Sequence, residues 1–256
     1  MTPAAHLDLK PRRRPRGWWL AGLLVALALA ALAAIYHRQL PDLTLPRAVQ
    51  IARELLQVFQ VDVGAVEGAA CYWRATDELE WTSTAVVRVA DTVGGPAAFV
   101  TTLGGLVRMA RVPVPELRAF APPVGQDVLG DIVLTDYNFD HGADYAIYLI
   151  VHEIGHVLDW RSHKHLSQTV SAETGASQCD LDNPSVACVF DTQRAVEPPP
   201  GNPAEPYAGV STEEYWAEVF ATTVYPEYYG QSTANNLVGP QTADVVKTTL
   251  RGLGAE

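Results

Sequence analysis

Two histidines and a glutamate in the middle of an apolar helix leave a chain few ways to fold. Asp144 to Trp160 is the strongest helical signal in the sequence after its N-terminal region, and it is apolar around most of its circumference, which predicts a buried helix. Inside it stands His152-Glu153-Ile154-Gly155-His156. Burying such side chains without partners is costly, so the fold has to bring something to meet them. Residues four apart share a helix face, so His152 and His156 can place two imidazole nitrogens on one metal ion. Glu153 lies about 100° further round the helix, beside the ion rather than on it, where its carboxylate can take a proton from water. Gly155 leaves room for another backbone or a substrate to approach.

The HExxH pattern predicts one zinc ion per chain, held by His152, His156 and a third protein ligand, with one coordination position open. Metzincins carry Gly and His at the positions occupied here by Asp159 and Ser162, while His163 and His165 are out of that register. The third ligand is better sought in Ser211-Thr212-Glu213-Glu214-Tyr215-Trp216-Ala217-Glu218, a predicted helix. Glu214 and Glu218 share a face, so one can ligate while the other supports a ligand histidine from behind. Ser211 followed by Glu214 also fits a capping box, in which the glutamate only returns to the helix start, and Glu213 or Glu218 could ligate instead. Asp159 could orient the metal site or cap local backbone.

His152-Glu153-Ile154-Gly155-His156-Val157-Leu158-Asp159, then Tyr207, then Glu214-Tyr215-Trp216-Ala217-Glu218-Val219-Phe220, resembles the catalytic domain of anthrax lethal factor and its relatives, among them the bacterial Pro-Pro endopeptidases. The resemblance implies a gluzincin with a zincin-like fold. It also implies Glu214 as third zinc ligand, Glu218 as a carboxylate behind the ligands, and Tyr207 as a phenol that stabilises the oxyanion. It covers residues 130–160 and 205–222 and does not extend to residues 40–125 or to the stretch holding Cys179 and Cys188, so substrate choice is not carried with it.

The N-terminal region constrains location. Residues 1–38 hold six of the 18 basic side chains and one of the 29 acidic ones, leaving 12 basic and 28 acidic groups, a net of −16, for the remainder. So acidic a body argues against nucleic acid as a partner. From Trp18 to Ile35 no charged or amide side chain occurs over 18 residues, long enough for a helix of roughly 27 Å, near the hydrocarbon thickness of a bilayer. Trp18, Trp19 and Tyr36 mark its ends, and four arginines precede it. The positive-inside rule then puts the N-terminus in the cytoplasm and the acidic domain outside. A cleaved signal peptide, ending near Ala31-Leu32-Ala33, is the alternative and gives the same outward location. Cys179 and Cys188 can close a short disulfide loop in an oxidising compartment, which leaves Cys71 over.

The expected organisation is a basic cytoplasmic tail over 1–16, a transmembrane helix or signal peptide over 17–36, a stalk or first helix over 37–60, and a catalytic domain over 61–256. Within the latter, residues 82–89 read as a strand, 97–110 as a helix broken by Gly104-Gly105, 113–123 as loop and 131–135 as a second strand. A long polar connection follows from 163 to 207, and helices are predicted over 47–60, 211–225 and 242–253. The fold class expected is α+β, a zincin-like domain with a small twisted sheet over the HExxH helix and a cleft whose peptide-pairing edge is 131–135. The function expected is zinc-dependent endopeptidase action on an extracytoplasmic protein or peptide. The alternatives are a catalytically silent binding or sensor domain on the same scaffold and a zinc hydrolase of a non-peptide cell-envelope component.

Overall fold

In the computed structural model the described residues are 47–64, 73, 76–122, 129–176, 208, 211–230 and 238–253, all within the unit that runs from Pro46 to Glu256. The apolar run over 17–36, Tyr207 and the three cysteines lie outside them. Among the described residues no helix is long and apolar enough to cross a membrane.

Helix α1, Arg47–Val58, is amphipathic. Ala52, Leu56 and the following Phe59 are buried, so it packs into the unit as its first helix. After the short strand β1, Val61–Asp62, comes helix α2, Thr76–Val93. Here the expected strand over 82–89 is overturned. The run Thr82-Ser83-Thr84-Ala85-Val86-Val87 has the β-branched composition of a strand, but tertiary packing decides. Leu79, Thr82, Ser83, Val86, Val89 and Ala90 are buried, which is helical spacing. The hydroxyls of Thr82, Ser83 and Thr84 are satisfied within the helix by the carbonyls of Glu78 and Glu80.

Helix α3, Pro96–Thr102, is shorter than expected because Gly104 and Gly105 both take positive φ, 68° and 113°. The chain leaves that turn extended as β2, Val107–Val112, so the second half of the helix expected over 97–110 is strand instead. Strand β3, Ile132–Thr135, follows, with all four residues buried. The three strands are parallel in the order β1-β2-β3, with Val61 opposite Val107 and Met109 opposite Ile132. Beyond β3 the sheet gains one antiparallel bridge. Phe120 N–H donates to Val133 O at 3.1 Å, and Val133 N–H donates to Phe120 O at 2.8 Å. The outer edge is therefore the segment around Phe120, and 131–135 is not the free edge it was expected to be. The Thr135 hydroxyl, donating to the Leu117 carbonyl, ties the segment down from the other end of β3.

Arg111 on β2 is fully buried and is met by three side chains. Its Nε and Nη2 reach the two carboxylate oxygens of Glu78 on α2 at 3.2 and 2.9 Å. Nη2 also lies 2.7 Å from Asp136 Oδ1, in the short helix α4, Asp136–Asp140, and the guanidinium sits 4.8 Å over the Phe139 ring. Helix α5, Ala143–Arg161, carries the HExxH sequence and is buried over almost its whole length. It touches β3 and α2 on one side and the later helices on the other.

The expected loop from 163 onward begins instead with helix α6, His165–Glu173. Only Leu166 and Val170 mark its buried face, together with the small Ser167 and Ser171, too little apolar signal to be read in sequence. Helix α7, Thr212–Val224, α8, Pro226–Gly230, and α9, Pro240–Leu253, follow among the described residues.

Candidate metal centre

The two histidines reach one point because they stand four residues apart on the continuous helix α5. His152 Nε2 and His156 Nε2 are 3.2 Å apart, and both residues are buried. The third group comes from the first turn of α7. Glu214 Oε2 lies 3.2 Å from His152 Nε2 and 3.4 Å from His156 Nε2. Ligands set tetrahedrally at about 2.0–2.1 Å around one zinc ion stand about 3.3–3.4 Å from each other. The three atoms thus have the mutual spacing that one face of a zinc tetrahedron would require. Among the described residues this is the one group of three His, Cys, Asp or Glu side chains close enough to share a metal. His163 and His165 are exposed and take no part in it.

Two local features aim α7 at this point. Ser211 is extended and caps the helix, its Oγ accepting the Glu214 N–H at 3.2 Å. The serine half of the capping box is present, while the Glu214 carboxylate turns to the histidines. Gly155 provides the second feature. A Cβ built there would stand 2.9 Å from Phe220 Cδ1 and 3.4 Å from Ala217 Cα, so its absence lets α7 come this close to α5. Trp216 Nε1–H donates to the Gly155 carbonyl at 2.7 Å and locks the approach. The gap left by Gly155 is filled by the protein's own helix rather than by a substrate.

The electrostatics follow from burial among like and unlike charges. Burial pushes Glu214 up, but hydrogen bonds and charge from His152 and His156 outweigh it and bring the carboxyl down to about 2. Burial pushes His152 down, yet Glu214, Glu218 and Glu153 together raise it above the ordinary imidazole value. Glu153, buried one residue on, is raised, chiefly by burial and against the pull of both histidines.

Glu218, one turn further along α7, is buried behind the histidines with Oε1 3.4 Å from His152 Nδ1. Asp159 is fully buried, and its Oδ1 accepts the Ser167 N–H at 2.8 Å in the first turn of α6. Of its two sequence readings, this hydrogen bond is the backbone cap. Tyr207 lies outside the described residues.

A cleft of about 290 Å³ opens over Glu153, walled by Ala119, Phe120 and Ala121 on the sheet edge and by Trp160 and Lys164 at the end of α5. Trp160 stacks on His156 with ring centroids 5.5 Å apart at 19°. Lys164 Nζ pairs with Glu213 Oε1 at 2.5 Å across the rim. His163 and Lys164 both have positive φ, 55° and 64°, a conformation that costs a non-glycine residue about 1–3 kcal/mol. Sequence reading missed Trp160, Lys164 and the 119–121 wall. The spacing of Trp160, four after His156, was the one signal on offer. Compared with protein-family models, with curated proteins and with solved structures, the chain matches none.

Proposed function

We propose that this chain is a zinc-dependent endopeptidase with a zincin-like catalytic domain. The observation that carries the reading is the triangle of His152 Nε2, His156 Nε2 and Glu214 Oε2, with sides of 3.2, 3.4 and 3.2 Å, at the floor of a cleft that also holds the Glu153 carboxylate. One zinc ion per chain would supply Lewis acidity there, polarising a scissile carbonyl and acidifying water. His152, His156 and Glu214 hold it. Glu153 takes the proton from attacking water and passes it to the leaving amine, the role its place in the cleft beside the ligand triangle suits. Glu218 orients His152. By resemblance, Tyr207 donates to the developing oxyanion.

The edge segment supplies the surface for a peptide. Phe120 spends its N–H and C=O on Val133, so the backbone groups of its neighbours Ala119 and Ala121 point the opposite way, where an extended chain can pair with them. This edge takes the place of 131–135. The arginine cluster and apolar run of the N-terminal region support anchoring in the membrane, or secretion after cleavage, with the catalytic domain and its protein or peptide substrate outside the cytoplasm.

The test pairs metal analysis with one isosteric change. The purified chain should hold about one zinc, and the Glu153→Gln variant should keep it while peptide hydrolysis falls by about 10²–10⁴-fold. A Glu153→Gln protein with undiminished hydrolysis would overturn the assignment of the base. A chain that binds no zinc would remove the reading entirely. Zinc bound without hydrolysis of any peptide would favour the silent binding domain or a hydrolase of another envelope component.

A further inference from the structure

Behind the histidines the line of contacts does not end at Glu218. Tyr148 lies four residues, one helical turn, before His152 on α5 and is buried. Its phenol donates to Glu218 Oε1 at 2.5 Å. That same oxygen is the one 3.4 Å from His152 Nδ1. On its other side the Tyr148 ring lies flat against Tyr228 of α8, with centroids 4.5 Å apart and planes 3° from parallel.

We infer that Tyr148 is a positioning residue for the metal centre, acting on His152 through Glu218. The inference rests on the zinc reading above. A histidine that gives Nε2 to a metal must carry its proton on Nδ1, and that N–H needs an acceptor held in place. Glu218 Oε1, 3.4 Å from Nδ1, faces it from where such an acceptor would stand, and a carboxylate held at more than one point is less free to rotate away. The phenol removes that freedom by holding Oε1, and the stack on Tyr228 holds the phenol. A chain of contacts thus runs from α8 through α5 to α7 and back to the ligand.

Tyr148→Phe removes the hydroxyl and keeps the ring, so the stack on Tyr228 and the packing should survive. The test measures zinc affinity by competition with a chromophoric chelator in four full-length proteins: wild type, Tyr148→Phe, Glu218→Gln and the double variant. Melting of the metal-free forms serves as the fold control. Losing a group behind a ligand costs about 10–100-fold in metal affinity. Tyr148 stands one step further out, so a loss of about 3–10-fold is expected. Because it acts through Glu218, the Tyr148→Phe change should add nothing in the Glu218→Gln background. An unchanged affinity in the single variant, or an equal loss in both backgrounds, would overturn the inference while leaving the zinc centre intact. A wild-type chain that takes up no zinc overturns both.

Discussion

Gly155→Ala is the substitution whose effect can be worked most directly from the geometry. The added methyl would meet Phe220 Cδ1 at 2.9 Å and Ala217 Cα at 3.4 Å. Carbon atoms rest at about 3.5–4.0 Å, so α7 must move outward by roughly 0.6 Å or more, or the Phe220 ring must turn. Phe220 is fully buried and lies against Trp216 with centroids 5.2 Å apart, which resists the turn. A displacement of α7 carries Glu214 with it, and 0.6 Å is about three times the ±0.2 Å within which a ligand distance has to fall. Overpacking costs about 1–3 kcal/mol, against about 1 kcal/mol returned by the better helix propensity of alanine. The metal-free protein should therefore lose at most about 2 kcal/mol, visible as a modest drop in Tm. Zinc affinity should fall by about 10–100-fold, because the ligand triangle opens. Phe220→Leu in the same chain should restore part of it by making room. Chelator competition and thermal melts on the metal-free forms measure the two effects separately. Full zinc affinity in Gly155→Ala would refute the argument that helix contact at this glycine sets the position of Glu214.

Arg111→Met should be strongly destabilising, by about 3–5 kcal/mol in chemical denaturation, because Glu78 and Asp136 would be left as buried carboxylates without their cation; a loss below about 1 kcal/mol would sink that account. Zinc binding should weaken on acidification from the neutral side, since His152 takes up its proton above the ordinary value of about 6.5 and the metal must displace it. An affinity that holds constant down to pH about 6 would contradict it. In the metal-free protein the depressed Glu214 works with the opposite sign. Its contribution is present above the ordinary glutamate range and is lost as pH falls toward about 2, so Glu214→Gln should flatten that part of the acid unfolding curve.

The histidine pair was legible from helix spacing, while the choice of Glu214 over Glu213 and Glu218 came with the resemblance. That His152 and His156 share a face, and Glu214 and Glu218 likewise, needed only the assumption that both segments are helical. What brings α5 and α7 together was less visible. Gly155 suggested a close approach, but nothing local to it named Phe220 and Ala217 as the groups that approach. The strand expected over 82–89 failed where β-branched composition met a helical burial pattern that only tertiary contact imposes. The sheet edge was misplaced because a single bridge at Phe120, within a proline-rich connection, has no periodicity to detect. Helix α6 escaped because two apolar residues are a weak stripe. Tyr148 and Trp160 stand one turn either side of the histidine pair, yet on a helix apolar nearly all round they read as core.

The buried cluster of Arg111, Glu78 and Asp136 bears on the order in which the unit assembles. Glu78 is 33 residues from Arg111 and on a different element, and Asp136 opens the segment after β3. No local encounter can complete the set. A partly folded chain in which β2 and β3 have paired but α2 has not docked would hold a guanidinium facing an apolar wall with one carboxylate missing, a state penalised by its unsatisfied charge. Docking of α2 discharges that penalty only in the native register, since a shift of one turn along the helix carries Glu78 out of reach. The intervening chain has to close before the contact rewards it, at an entropic cost that grows only slowly with span. The cluster therefore ties the position of α2 along its axis to β2, since the native register is the one that brings Glu78 to Arg111.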